Sequence, residues 1–149
     1  MERKTMRVET RDFGEIEVGE KEIVTFCQPV YGFESLKRYV FLHDESLGEQ
    51  FAWLQSVEDA DVCFILANPS MVDPAYAPRI PAELAEELDG ETMWWLVAVI
   101  PEQLEKATVN LKSPIVVNFD RGRAAQVILE EDLPIHSPLF HRGKEKATC

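Results

Sequence analysis

The strongest constraint on the fold is a succession of short apolar runs, each ended by turn-forming residues. The runs are rich in β-branched and aromatic side chains, which favour the pleated surface of a sheet. In Gly14–Val18 apolar and acidic residues alternate, a pattern that predicts a strand with one face in water. The other predicted strands are residues 23–26, 39–42, 51–56, 63–67, 93–100, 107–111, 115–118 and 125–129.

Helical signals are few. Pro81–Gly90 has Pro at its start, Gly at its end and Leu84 and Leu88 on one face, which predicts a short helix. A second helical turn is expected at residues 101–106. Because no long amphipathic helix separates the strands, the pattern predicts a mainly β fold. We expect a small antiparallel β-barrel or sandwich in one domain, with one or two short helices.

The length of 149 residues suits a single domain. We expect a flexible N-terminal extension at residues 1–6, a β domain at residues 7–140 and a flexible polar tail at residues 141–149. The charged start leads into no apolar stretch of the kind that a secretory signal contains. The three cysteines are odd in number and widely spaced, which argues against a disulfide framework. These features predict a cytoplasmic protein.

Acidic residues dominate the chain, whose formal net charge is −12. From Glu49 through Glu105 there are twelve acidic residues and a single basic one, Arg79. Such a segment disfavours direct binding of nucleic acid, because phosphate binding relies on Lys and Arg. Two interpretations stay open: a solvated acidic face, or a docking surface for a basic protein.

The sequence offers little catalytic chemistry. The Cys and His residues do not stand at the short paired spacings of a zinc site. Neighbouring acids such as Glu86 and Glu87 are typical of solvated faces. We therefore expect a non-enzyme with no catalytic residues, no metal and no cofactor.

Three segments together resemble the FliW family. The first is Phe26–Glu34 followed by Tyr39–Leu42, and the second is Phe51–Ser56 leading through Cys63 to Pro69. The third and most specific is Thr108–Asn118, with Ala125–Leu129 after it. The resemblance runs from about Arg7 to Phe140, and the chain departs from the family's usual residues at Cys27, Pro29, Asn68 and Leu133.

The resemblance implies a small β-barrel-like flagellar assembly factor that works by binding proteins. Such a factor binds flagellin and, when free, binds and antagonises the RNA-binding translational repressor CsrA. That second complex relieves the repression of flagellin synthesis. The implied protein binds neither nucleic acid nor membrane directly, and we expect a monomer when it is unbound.

Partner contacts are expected at a loop that follows Gln55 and Ser56. This loop carries Glu58, Asp59 and Asp61, with no Lys or Arg beside them in the sequence. Further expected contacts are Asp73, Tyr76, Asn110 and Lys112. For Asn110 an alternative stays open, in which its side chain caps the backbone at a bend before Pro114.

A second hypothesis belongs to another class: a β-barrel that binds a small molecule, or an enzyme of that shape. Its pocket would be lined by Trp53, Trp94 and Trp95. The pattern places Trp53 in the core and the other two tryptophans on opposite faces of one strand. The convergent polar groups that a ligand pocket normally contains are missing from these runs.

Overall fold

The protein is described by a computed structural model that covers residues 4–140. Within this range short strands predominate. The helical elements are 3₁₀ turns at residues 20–22, 69–71, 82–84 and 104–106, and a 3₁₀ segment at residues 45–50 that is kinked at Gly48. The strands are β1 (Thr5–Glu9), β2 (Glu15–Gly19), β3 (Ile23–Gln28), β4 (Arg38–Leu42), β5 (Phe51–Ser56), β6 (Cys63–Ala67), β7 (Met93–Val99), β8 (Thr108–Val109), β9 (Ile115–Asn118), β10 (Arg123–Gln126) and β11 (Ser137–Pro138).

Seven of the described strands close a barrel in the order β3, β4, β5, β6, β7, β9, β10 and back to β3. Every pair in this ring is antiparallel except β3 with β10, which is parallel. Strand β7 divides one edge between two partners, since Met93–Trp95 pairs with β9 and Ala98 pairs with β8. The predicted fold class is confirmed: the protein is mainly β, with a closed barrel and few short helices.

The barrel interior is filled by side chains that alternate along each strand. On β5 Ala52 and Leu54 point inward, and on β7 Trp95 does. The interior cluster consists of Val24, Phe26, Val30, Tyr39, Ala52, Leu54, Leu66, Trp95, Ile115, Val117 and Ala124. These residues are nearly inaccessible to solvent, so the barrel is a packed core.

Three apolar layers cover the outside of the barrel. The hairpin β1–β2 packs Val8 and Val18 against Val40 of β4. Strands β8 and β11 and the residues around Met71 cover β6 and β7. Leu84 and Leu88 cover Val116 of β9 and the chain that follows β10. These layers are why several strands are buried on both faces.

The structure corrects the helix predicted at Pro81–Gly90. Only Ala82–Leu84 forms a 3₁₀ turn, and the bond from Leu88 N to Leu84 O at 3.1 Å is the one hydrogen bond of α-helical spacing in this segment. Helices this short are marginal in water, so packing decides the backbone, and the two leucines bend the segment onto the barrel. Leu84 and Leu88, the two apolar residues of the predicted helix face, are both buried.

Trp53 was expected in the core, and that expectation is wrong. Its neighbours Ala52 and Leu54 take the inward positions, so Trp53 faces outward and is half-buried. There its ring meets Phe13 edge-on, with the centroids 5.3 Å apart. A one-residue shift in phase exchanges the two faces of a strand.

The ends of the chain differ from expectation in one respect. Strand β1 begins at Thr5, inside the segment that the sequence suggested as an extension. Residues 1–3 and the predicted polar tail at 141–149 lie outside the described residues. Within residues 4–140 no helix is both long and apolar enough to cross a membrane.

Candidate partner-binding surface

The loop between β5 and β6, residues 57–62, is shaped by two buried polar side chains. The Gln55 amide nitrogen donates to the carbonyls of Ser56, Ala60 and Val62 at 3.0, 3.1 and 3.3 Å. The Ser56 hydroxyl oxygen accepts from the N–H groups of Glu58 and Asp59, both at 3.0 Å. The loop is therefore held from within by side-chain hydrogen bonds to its own backbone.

The sequence suggested Gln55 and Ser56 as partner contacts. Both residues are 0% exposed in the unbound protein, where their side chains position the loop. The side chains that the loop presents to solvent are those of Glu58, Asp59 and Asp61.

Glu58 is already partnered. Its carboxylate accepts from the N–H groups of Lys37 and Arg38 at 2.7 and 3.2 Å, and the Arg38 guanidinium lies 3.8 Å away. The bond from Lys37 is the main reason that the Glu58 pKa lies below its usual value. No Lys or Arg stands beside this loop in the sequence, but the pairing of β4 with β5 brings Lys37 and Arg38 to it.

The remaining acidic side chains are freer. Asp59 accepts one bond from the Asp61 N–H at 3.1 Å. Within the described chain the Asp61 carboxylate makes no hydrogen bond or ion pair. Asp73 does not join them: it follows the far end of β6, where its N–H donates to Pro69 O. A five-residue strand spans about 16 Å, so Asp73 lies well away from the carboxylates of Glu58, Asp59 and Asp61.

Tyr76, Asn110 and Lys112 do come together, around the segment that precedes β9. The Tyr76 hydroxyl donates to Leu111 O at 2.7 Å, and the burial of the half-buried ring raises its pKa. Lys112 Nζ donates to the carbonyls of Leu129 and Glu131, both at 2.8 Å. Lys112 thus fastens this segment to the chain after β10, and Tyr76 fastens it to the chain that follows β6.

Asn110 takes the second of the two roles left open by the sequence. Its side-chain oxygen accepts from the N–H groups of Lys112 and Ser113 at 3.0 and 2.9 Å. These bonds cap the bend that leads to Pro114. The side chain therefore stabilises the bend in the unbound protein.

The tryptophan-lined pocket of the second hypothesis does not form. Trp95 lies in the filled interior, Trp94 lies beneath the layer of Leu84 and Leu88, and Trp53 lies under Phe13. Two surface clefts border Pro81 and Ile128, and neither is lined by a tryptophan. The three rings lie in different layers because Trp94 and Trp95 point to opposite faces of β7, and Trp53 points outward from β5.

Nucleophilic and metal-binding groups are scattered. Burial raises the pKa of the Cys63 thiol to about 11, and burial also raises that of Cys27. Across residues 4–140 no group of three or more His, Cys, Asp or Glu side chains is placed to hold a metal ion.

The fold and its surface define a class: a small closed-barrel protein with a filled interior, an acidic loop at one end and clefts along its outer layer. The comparisons with known proteins narrow that class. The model of the FliW protein family matches residues 7–139, and this chain belongs to that family of flagellar assembly factors.

Individual relatives agree with this assignment. The flagellar assembly factor FliW of Caldanaerobacter subterraneus subsp. tengcongensis is 34% identical over 131 residues, which cover 85% of this chain and 87% of that protein. The corresponding protein of Caldicellulosiruptor bescii is 35% identical over 138 residues, covering 89% and 90%. A crystal structure of the flagellar assembly factor FliW superposes with a TM-score of 0.82 at 29% identity, covering 91% of this chain and 97% of that chain.

Proposed function

We propose that this chain is a cytoplasmic, non-enzymatic assembly factor that binds flagellin and, when free of it, binds and antagonises the translational repressor CsrA. Through the second complex it would relieve repression of flagellin synthesis. The observation that carries the proposal is the filled barrel of a FliW-family chain, because a packed interior leaves the outer surface to do the work. Regulation by occupancy needs a stable surface and no reacting group.

The acidic loop at residues 57–62 supports an interaction with a basic protein. Gln55 and Ser56 fix its backbone, and Asp61 presents a carboxylate with no internal partner in the described chain. Exposed charges of this kind act mainly on the rate of association. Their effect should fade as salt rises, since screening acts over about 8 Å at 0.15 M ionic strength.

Surface plasmon resonance with purified CsrA and purified flagellin tests the proposal. We expect saturable binding of both proteins, and slower association of CsrA with Asp61→Lys at low salt. Asp120→Lys is the matched control, because it makes the same charge change at an exposed position between β9 and β10, at the other end of the barrel. Failure of both proteins to bind at micromolar concentration would overturn the proposal, whereas equal association rates for the two variants would remove only the acidic loop from it.

The effect on messenger RNA should be indirect. In a mobility-shift assay with flagellin leader RNA, the pure protein should leave the RNA unshifted, because its acidic surface repels phosphate. Added to a preformed CsrA–RNA complex, it should release the RNA. Saturable RNA binding by the protein alone would contradict this proposal, and light scattering should show a monomer before partners are added.

A further inference from the structure

The chain continues as an extended segment beyond β10, and one of its edges is paired. Val127 N donates to Pro114 O at 2.9 Å, and Leu129 N donates to Lys112 O at 2.8 Å. Val127 and Leu129 are buried, whereas Ile128 is 60% exposed and Glu130 is exposed. Residues 127–130 therefore show the alternation of a strand that has a neighbour on one side.

The other edge of this segment is open. Strand β3 pairs with β10 as far as Ala125 and Gln28, and beyond that pair the Tyr31 N–H donates to the Gln126 side-chain oxygen at 2.7 Å. Because successive backbone groups of a strand point to opposite edges, the N–H and C=O of Ile128 face the edge beyond these contacts. Neither group has a hydrogen-bond partner within residues 4–140. An open edge of this kind is a template for another strand.

A groove accompanies the open edge. A cleft of about 240 Å³ beside the end of β3 is lined by residues that include Tyr31, Leu84 and Ile128. A second cleft shares Pro81, Glu83, Val127 and Ile128 with the first, and its lining also includes Glu131. Because the two clefts share these residues, we call them together the groove along residues 127–131. Tyr31 is 77% exposed, so its ring is available to a partner.

The negative charge of the groove favours a basic partner. Its lining includes the carboxylates of Glu34, Glu83, Glu130 and Glu131. In the described chain, Arg79 is the one basic side chain among the lining residues. An acidic partner would be repelled here, and a basic one would be attracted.

We propose that this groove binds an extended basic peptide segment of a partner protein, which adds as a strand to the open edge at Ile128. The peptide backbone would pair with the N–H and C=O of Ile128, and alternate apolar side chains would rest on Tyr31 and Leu84. This surface is distinct from the loop at residues 57–62. The inference does not depend on which proteins the proposed function names, so the two can fail independently.

The test is fluorescence anisotropy with a fluorescein-labelled peptide, Lys-Thr-Val-Lys-Val-Arg-Thr-Lys, on the full chain. We expect saturable binding that weakens with added salt. A peptide in which Glu replaces every Lys and Arg should not bind. A peptide of the original sequence with both valine amides methylated keeps its charge but loses strand pairing, so its affinity should fall about tenfold.

Two substitutions at the open edge make a matched pair. Ile128→Pro removes an N–H that has no partner in the described fold, and Pro is tolerated at strand edges. It should weaken peptide binding about tenfold, while Ile128→Thr, which keeps the N–H, should stay within about twofold. In the unsubstituted protein, hydrogen exchange of the Ile128 amide should slow when the peptide is added.

The contrary outcomes are equally specific. The proposal is overturned if the peptide fails to bind at millimolar concentration, or if amide methylation leaves its affinity unchanged. It is also overturned if the acidic peptide binds as well, or if Ile128→Pro abolishes self-association of the protein instead, since the occupant would then be a second copy. Should Ile128→Pro lower the melting temperature strongly, the methylated peptide on the unsubstituted protein decides the matter.

Discussion

The backbone N–H of Arg11 donates to the side-chain oxygen of Gln55 at 2.9 Å, so the loop of the β1–β2 hairpin is hydrogen-bonded to the end of β5. The same Gln55 donates to three carbonyls around the loop at residues 57–62. One fully buried side chain therefore fixes two loops that lie far apart in the sequence. Several measurable consequences come from this and similar contacts.

Replacing Gln55 by Leu should lower the free energy of unfolding by about 2–4 kcal/mol, because buried backbone groups lose their partners. Gln103→Leu makes the same chemical change at an exposed position and should alter stability by less than about 0.5 kcal/mol. Urea unfolding of both variants measures the difference. Equal effects would mean that the Gln55 hydrogen bonds contribute nothing net.

Leu88→Ala should destabilise the protein by about 2–5 kcal/mol, the range for emptying a buried leucine site. Leu88 is 1% exposed and packs in the layer over β9 and β10, whereas Leu104 is 55% exposed. Leu104→Ala is therefore the control, with little expected change. A small effect of Leu88→Ala would show that the segment at residues 81–90 is loosely attached to the barrel.

Two hydroxyls form a contrasting pair. The Tyr76 hydroxyl donates to Leu111 O at 2.7 Å, so Tyr76→Phe should cost about 1 kcal/mol. The Tyr39 hydroxyl is buried in the interior without a partner among the described residues, and its burial raises the pKa of Tyr39 to about 12. Tyr39→Phe should be neutral or stabilising by thermal unfolding. The reverse order of the two variants would contradict the hydrogen bonding described.

The stability contributed by Glu58 should depend on pH. Its folded-state pKa is lowered from 4.5, chiefly by the Lys37 N–H, so the charged form is favoured in the folded protein. That contribution is present above pH 4.5 and is lost as the pH falls through the lower folded-state value. Glu58→Gln should therefore lower the melting temperature at pH 7, and the deficit should shrink in acid. Asp61→Asn removes a carboxylate of the same loop that makes no hydrogen bond in the described chain, and it is the matched control at pH 7.

Cys63 should resist alkylation while the protein is folded. Burial raises its pKa to about 11, so on the order of one thiol in a thousand is ionised at pH 8. Mass spectrometry after iodoacetamide treatment should find Cys63 unmodified, and modified once urea is added. Rapid modification in the absence of urea would mean that the end of β6 opens locally.

Local patterns determined much of the barrel. Three strands were predicted with the bounds that the structure has: Phe51–Ser56, Cys63–Ala67 and Ile115–Asn118. The sequence also indicated that Leu84 and Leu88 share an apolar face, because apolar spacing is a property of neighbouring residues, and both side chains are buried. Each of these features depends on contacts that the local sequence already implies.

The tertiary structure alone decided where the polar groups meet. The Glu58 carboxylate contacts Lys37 and Arg38 because β4 lies beside β5. Asp73 lies far from Glu58 because the two residues flank opposite ends of β6. The edge at Ile128 is open because the pairing of β3 with β10 ends at Gln28 and Ala125, which depends on both strands together. The register of strand pairing and the point where pairing ends depend on contacts between residues far apart in the chain. A local sequence pattern does not specify which distant residues become neighbours in the fold.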